Sequence, residues 1–186
     1  ALWISTVAVA IAEIGDKTQL LSLVLAARYR RPWPISAAIA LATVLNHALA
    51  AWIGAWVAGW FTPGVLRWAV AASFLAVALW ALKPDTVDES ETRRGAGHGA
   101  FVATLVAFFL AEIGDKTQIA TVVLAAQYEP LWQVIAGTTL GMLAANAPVV
   151  ALGARFAHRI PLRLARYAAA GLFALLALAI VLQPAR

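Results

Sequence analysis

The sequence predicts an all-α integral membrane protein with six transmembrane helices, arranged as two inverted three-helix repeats. Of its 186 residues, 63% are hydrophobic and 12% are charged, whereas a soluble domain is about half apolar and about a quarter charged. Six apolar runs approach or exceed the ~20 residues that a helix needs to cross a bilayer. The second half also repeats the first without a gap when the sequence is shifted by 99 residues.

The apolar runs follow one another with short polar or proline-containing breaks. They cover residues 2–27, 33–60, 65–82, 100–126, 131–154 and 162–182. The polar stretch between the third and fourth runs is rich in Asp, Glu, Arg, Gly and Thr, which is typical of a flexible loop. One compact transmembrane domain is therefore expected, with a first repeat at 1–82, a cytoplasmic loop at 83–99 and a second repeat at 100–186.

The internal repeat predicts the topology. Identical residues fall on one another under the shift, namely Tyr29 and Tyr128, Trp33 and Trp132, Gly54 and Gly153, Arg67 and Arg166, and Phe74 and Phe173. Because each repeat holds three helices, the second must enter the membrane from the opposite side, as in many transporters. Loop and helix-end lysines and arginines number ten on one side and two on the other. The richer side is predicted to be cytoplasmic, with both termini outside a bacterial plasma membrane.

A seven-residue motif, E-I-G-D-K-T-Q, occurs in the first run of each repeat, at residues 13–19 and 112–118. Charges at mid-membrane depth cost about 2.5–3.5 kcal/mol each on insertion scales, so they indicate function. On a continuous helix the Glu, Asp and Lys of each copy share one face. Four carboxylates and two ammonium groups leave a net charge of −2, which one divalent cation or two protons would neutralise. The predicted metal ligands are Glu13, Asp16, Glu112 and Asp115.

Further residues are candidates for supporting roles. A bend at Gly15 and Gly114 would let the motif hydroxyls and amides join the site, that is Thr18, Gln19, Thr117 and Gln118. His47 and Asn146 are equivalent under the shift and are candidate ligands from the second and fifth runs, Asn146 lying just before Pro148 where a disturbed helix is expected. Lys17 and Lys116 are assigned to gating or charge compensation. A purely structural alternative is that each Glu–Lys pair at i, i+4 forms a buried salt bridge.

Ligand chemistry narrows the ion. Carboxylate, hydroxyl and amide oxygens suit hard cations such as Mg²⁺, Ca²⁺ and Mn²⁺, and the absence of cysteine argues against Cu(I). Imidazole would favour Mn²⁺ over Ca²⁺. No resident cofactor is expected, and the net charge of +5 reflects membrane topology and not nucleic-acid binding. The expected partners are the lipid bilayer, the cation and protons, and a homo-oligomer is left open.

The doubled motif E-x-G-D-K-[ST] resembles that of the manganese exporter family typified by bacterial MneA, whose eukaryotic relatives are Golgi calcium/manganese transporters. The resemblance spans essentially the whole chain. It implies cation/proton exchange, with the ion held by the Glu and Asp of each motif, here Glu13, Asp16, Glu112 and Asp115.

The predicted function is proton-coupled export of Mn²⁺ by alternating access, which makes the protein a secondary transporter and not an enzyme. Ca²⁺/H⁺ exchange at the same site is the nearest alternative. An intramembrane aspartyl protease is a remote one, because Asp16 and Asp115 each follow a glycine, although the identical motifs and the lysines do not fit it. A passive channel is a third alternative, but the sequence has no filter-like loop to support it.

Overall fold

The computed structural model describes residues 1–84, 99–153 and 162–182. These residues form eight helices and no strand. The helices are α1 (Leu2–Glu13), α2 (Lys17–Tyr29), α3 (Pro32–Ala58), α4 (Pro63–Ala81), α5 (Ala100–Glu112), α6 (Lys116–Gln127), α7 (Leu131–Leu152) and α8 (Leu162–Leu182). Four of them, α3, α4, α7 and α8, are long and apolar enough to cross a membrane.

The long helices match the predicted apolar runs closely. Pro32 and Pro63 stand in the first turn of α3 and α4, where a missing N–H costs nothing and the fixed φ suits a helix. Helix α7 continues through Pro148, so the disturbed helix expected around Asn146 does not interrupt it. Most of the predicted loop at 83–99, and the arginines at 155 and 159, lie outside the described residues.

The expectation of one continuous helix through each motif is wrong, because both motif-bearing runs are interrupted. The helix is interrupted after Glu13 and again after Glu112, and the backbone has the same conformation at both places. Gly15 has φ of +81° and Gly114 has φ of +76°, in the left-handed region that glycine enters at little cost. The alternative of a bend at these glycines is therefore confirmed.

The motif itself stabilises each break. The Gly15 N–H donates to Gln19 Oε1 at 2.8 Å, and the Gly114 N–H donates to Gln118 Oε1 at 2.7 Å. Each glutamine thus satisfies an amide that the interrupted helix leaves without a carbonyl partner. The same glycine and glutamine recur in both copies, and both pairs form this hydrogen bond.

The most extensive helix contacts join one half of the sequence to the other. Helix α1 packs on α7 and α5 packs on α3, while α3 also contacts α6 and α7, and α4 contacts α8. Glycines permit the closest crossings: a Cβ at Gly141 would lie 2.6 Å from the Thr6 carbonyl oxygen, and one at Gly54 would lie 2.2 Å from that of Val122. The equivalent residues Phe74 and Phe173 stack on each other, with ring centroids 6.1 Å apart.

The outer surface is apolar, as expected for a membrane protein. All eight tryptophans are exposed, from 38% for Trp80 to 85% for Trp33. Exposed tryptophans are typical of the lipid-facing surface of membrane proteins. The buried polar residues, in contrast, are concentrated where the two broken helices meet α3 and α7.

Candidate metal centre

The four motif carboxylates lie at helix ends inside the protein. Helices α1 and α5 end at Glu13 and Glu112, while Asp16 and Asp115 are the N-cap residues of α2 and α6. All four are buried; Asp115, the most accessible, is only 4% exposed. The positive end of a helix dipole favours a carboxylate at an N-cap, and interrupted helices are a common way to build an ion site in a membrane.

Three carboxylates from both copies of the motif converge. Glu13, Asp16 and Asp115 each offer one oxygen, and these atoms all lie within 4.8 Å of one another. A cation bonded at about 2.3–2.6 Å can bridge oxygens up to about 5 Å apart. The cluster therefore has the dimensions and the chemistry of a site for one divalent cation, and metal binding by these residues remains a prediction.

The motif threonines tie the carboxylates together. Thr117 Oγ1 lies 3.2 Å from Glu112 Oε2 and 3.1 Å from Asp115 Oδ2. In the first copy Thr18 Oγ1 donates to Glu13 Oε2 and lies 3.4 Å from Asp16 Oδ2. Through Thr117, Glu112 adjoins the three-carboxylate cluster. The break in each helix thus brings Thr18 and Thr117 beside the carboxylates, and metal binding by the two threonines stays a prediction.

Each motif lysine pairs with the aspartate of the other copy. Lys116 Nζ forms an ion pair with Asp16 Oδ1, and Lys17 Nζ lies 3.6 Å from Asp115 Oδ1. This crossed pairing requires the two motifs to face one another, which local salt bridges at i, i+4 would not. The assignment of the lysines to charge compensation fits the contacts better than a role confined to one helix.

The glutamines have a structural role in the described residues. Gln19 Oε1 and Gln118 Oε1 accept from the glycine amides, and Gln19 Nε2 donates to the Ala145 carbonyl oxygen at 3.0 Å. These hydrogen bonds hold the breaks in place. Metal binding by Gln19 and Gln118 stays a prediction.

Helices α3 and α7 each bring one candidate to the centre. His47 is fully buried, with Nε2 3.8 Å from Glu112 Oε2. Asn146 is also fully buried, and its Nδ2 lies 3.5 Å from Glu13 Oε2. Each of these residues therefore lies beside the glutamate of the opposite half of the sequence.

Sequence reasoning missed three residues of the polar centre. Ser22 Oγ donates to Asn146 Oδ1 at 2.6 Å, Asn46 Nδ2 donates to the Phe109 carbonyl oxygen at 3.0 Å, and Met142 lies 3.1 Å from Asn146 Nδ2 through both its carbonyl oxygen and its sulfur. The spacing of Ser22, four residues after Thr18, was a usable signal. The contacts of Asn46 and Met142 depend on how the halves pack.

Comparison with known proteins gives two kinds of match. Residues 1–89 and 100–186 match the family described as "Divalent cation/proton antiporter GDT1". A protein of Vibrio cholerae named "Putative manganese exporter" is 59% identical over 179 residues, covering 96% of this chain and 88% of the relative. A GDT1-like protein of Synechocystis is 28% identical over 174 residues, covering 80% of each chain. No solved structure gives a significant match.

Proposed function

We propose, from the premise that this chain belongs to the GDT1 family of divalent cation/proton antiporters, that it exports Mn²⁺ from the cytoplasm of a bacterium in exchange for protons. The carrying observation is the buried cluster of Glu13, Asp16 and Asp115, whose oxygens lie within 4.8 Å of one another. Glu112 adjoins this cluster and completes the proposed set of four carboxylates. The relative from Vibrio cholerae, whose name refers to manganese export, supports Mn²⁺ as the substrate.

Charge balance supports the exchange. Four carboxylates and two lysines carry −2 when all are ionised, and a buried net charge is costly unless it is compensated. One Mn²⁺ or two protons would each compensate it. The same oxygens would then hold either the metal or the protons, and the two would compete for the site.

The crossed lysine pairs suggest how the cation would be accommodated. A cation entering the cluster competes with Lys116 for Asp16 and with Lys17 for Asp115. When the metal leaves, the ammonium groups remain available to these aspartates. The lysines would therefore lower the cost of releasing the ion into a low-dielectric enclosure.

The arrangement of the halves supports alternating access. We count α1 with α2, and α5 with α6, each as one interrupted span, which makes six spans in two inverted repeats. Extensive contacts cross between the halves, and the centre lies where they meet. Movement of one repeat against the other would open the centre to each side in turn, with the loop at 83–99 in the cytoplasm and both termini outside.

Transport in proteoliposomes tests the proposal. The purified protein is reconstituted, an imposed pH gradient drives exchange, and Mn²⁺ movement is followed with an enclosed indicator. Glu13→Gln and Asp115→Asn should each lower the rate about tenfold or more, because losing even a supporting group at a metal site costs about 10–100-fold. Glu129→Gln is the matched control, since Glu129 is exposed and should transport at the wild-type rate.

Two results would contradict the proposal. Full Mn²⁺ transport by Glu13→Gln and Asp115→Asn would refute the site. Mn²⁺ flux that is unchanged when a protonophore collapses the gradient would refute proton coupling and favour a channel. Ca²⁺/H⁺ exchange is the second candidate, because the cluster oxygens suit both ions, and a Ca²⁺ rate exceeding the Mn²⁺ rate under the same gradient would favour it.

A further inference from the structure

The motif residues of the candidate metal centre are duplicated, whereas the long helices supply different residues to it. Both copies of the motif supply the same glutamate, aspartate, lysine, threonine and glutamine. From the long helices, however, α3 supplies His47 and α7 supplies Asn146 at the equivalent place. This difference makes the surroundings of Glu112 chemically distinct from those of Glu13.

Asn146 is fully engaged in hydrogen bonds. Its Oδ1 accepts from Ser22 Oγ at 2.6 Å, and its Nδ2 lies 3.1 Å from the Met142 carbonyl oxygen and 3.5 Å from Glu13 Oε2. The Asn146 amide nitrogen donates to the Glu13 carboxylate, and the Asn146 oxygen accepts from Ser22. Asn146 therefore positions Glu13.

His47 presents the opposite case. It is fully buried, and neither Nδ1 nor Nε2 has a hydrogen-bond partner in the described part of the chain. Its Nε2 lies 3.8 Å from Glu112 Oε2, too far for a hydrogen bond. Glu112 Oε1 and Asn46 Oδ1 are likewise buried without a partner among the described residues. Buried polar atoms are rarely left unsatisfied, and such a group calls for an explanation.

The spacing and the chemistry both fit a metal ion between His47 and Glu112. A divalent cation about 2.2 Å from a nitrogen and about 2.2 Å from an oxygen is compatible with the observed separation of 3.8 Å. Imidazole is a ligand for first-row transition metals, to which Mn²⁺ belongs, whereas Ca²⁺ takes oxygen ligands. Among the described residues, His47 supplies the one imidazole at the centre.

We infer that His47 is the residue that determines metal specificity: its Nε2 binds the transported ion beside Glu112 and favours a transition metal over Ca²⁺. The inference rests on the proposed function, because it concerns the same transported ion. It divides the centre into an oxygen-only part around Glu13 and a mixed nitrogen and oxygen part around Glu112. It would also explain why histidine occupies this position in the first repeat and asparagine occupies it in the second.

Pulsed electron paramagnetic resonance of Mn²⁺ bound to the solubilised protein tests the inference directly. A coordinated imidazole produces ¹⁴N modulation of the Mn²⁺ signal, which carboxylates do not. The wild type should show this modulation, and His47→Asn, which copies the residue of the second repeat, should lose it. His47→Gln is a second variant with a longer amide, and it should lose the modulation as well.

Metal competition supplies the second readout. In both His47 variants the ratio of Mn²⁺ to Ca²⁺ affinity should fall about tenfold, in the range expected for losing a group at a metal site. Retained ¹⁴N modulation, or equal losses of Mn²⁺ and Ca²⁺ affinity, would overturn the inference and indicate a packing role. Wild-type protein that binds Mn²⁺ without ¹⁴N modulation would overturn the inference alone, while wild-type protein that binds no Mn²⁺ would overturn the proposed function too.

Discussion

Lys17 and Lys116 occupy equivalent positions in the motif, but their surroundings differ. The Lys116 side chain is 4% exposed and pairs with a fully buried Asp16, whereas Lys17 is 20% exposed and lies 3.6 Å from Asp115. Removing one partner of a buried ion pair leaves an uncompensated charge and costs about 3–5 kcal/mol, and the cost falls as water reaches the pair. Neutralising each of the two lysines should therefore lower the free energy of unfolding by different amounts.

We predict that Lys116→Met lowers the thermal stability of the metal-free protein in detergent far more than Lys17→Met does. Added Mn²⁺ should raise the melting temperature of Lys116→Met by more than that of the wild type, because bound cation supplies the missing positive charge and stabilises the folded state. Thermal unfolding with and without Mn²⁺ measures both effects. Equal destabilisation by the two variants, or no additional Mn²⁺ effect in Lys116→Met, would refute the role of Lys116 in compensating Asp16.

At the scale of the elements, the sequence predicted the long helices well, and the broken ones less well. Continuous apolar patterning and flanking prolines are local, and they predicted the ends of α3 and α4 within about two residues. Hydropathy does not distinguish a broken helix from a continuous one at the motif. Gly15 tolerates either a helical or a left-handed φ, and the hydrogen bond to Gln19 selects the left-handed one. The crossed lysine pairs were beyond prediction for a related reason: they depend on how two distant segments pack.

The conformation at the breaks leads to a prediction about Gly114→Ala. A non-glycine residue in the left-handed region costs about 1–2 kcal/mol, and nothing lies within 4 Å of a Cβ at Gly114, so this cost should be the whole effect. A Cβ at Gly15 would lie 2.7 Å from Leu162 Cδ2, but this methyl group ends an exposed side chain that can rotate away. Unfolding in detergent should therefore place Gly15→Ala and Gly114→Ala at similar stability, both below the wild type.

Gly171→Ala is the matched control for the two motif glycines. Gly171 lies inside α8 with nothing within 4 Å of an added Cβ, and alanine is favoured over glycine in a helix by about 0.5–1 kcal/mol. This variant should match or exceed the stability of the wild type. If Gly114→Ala is as stable as Gly171→Ala, the left-handed turn at the motif is not required.

At the scale of the whole molecule, the pairing of equivalent residues connects the repeat in the sequence to the packing. Phe74 and Phe173 stack on each other, and α1 lies on α7 as α5 lies on α3. A two-fold relation between the halves, which stays a prediction, would account for both observations. The shift of 99 residues predicted such a relation, while the loop charges predicted its direction relative to the membrane, which packing alone does not specify.

The orientation of the two repeats in the membrane can be tested with Trp33 and Trp132. These residues are equivalent in the repeat and are 85% and 63% exposed. In inverted repeats these residues lie on opposite sides of the membrane, Trp33 facing the cytoplasm and Trp132 the outside. The chain has no cysteine, so Trp33→Cys and Trp132→Cys each introduce a single reactive thiol. A membrane-impermeant maleimide added to intact cells should label Trp132→Cys alone, and in everted vesicles it should label Trp33→Cys alone. Labelling of both variants from one side would rule out inverted repeats, and the reverse pattern would place the termini in the cytoplasm.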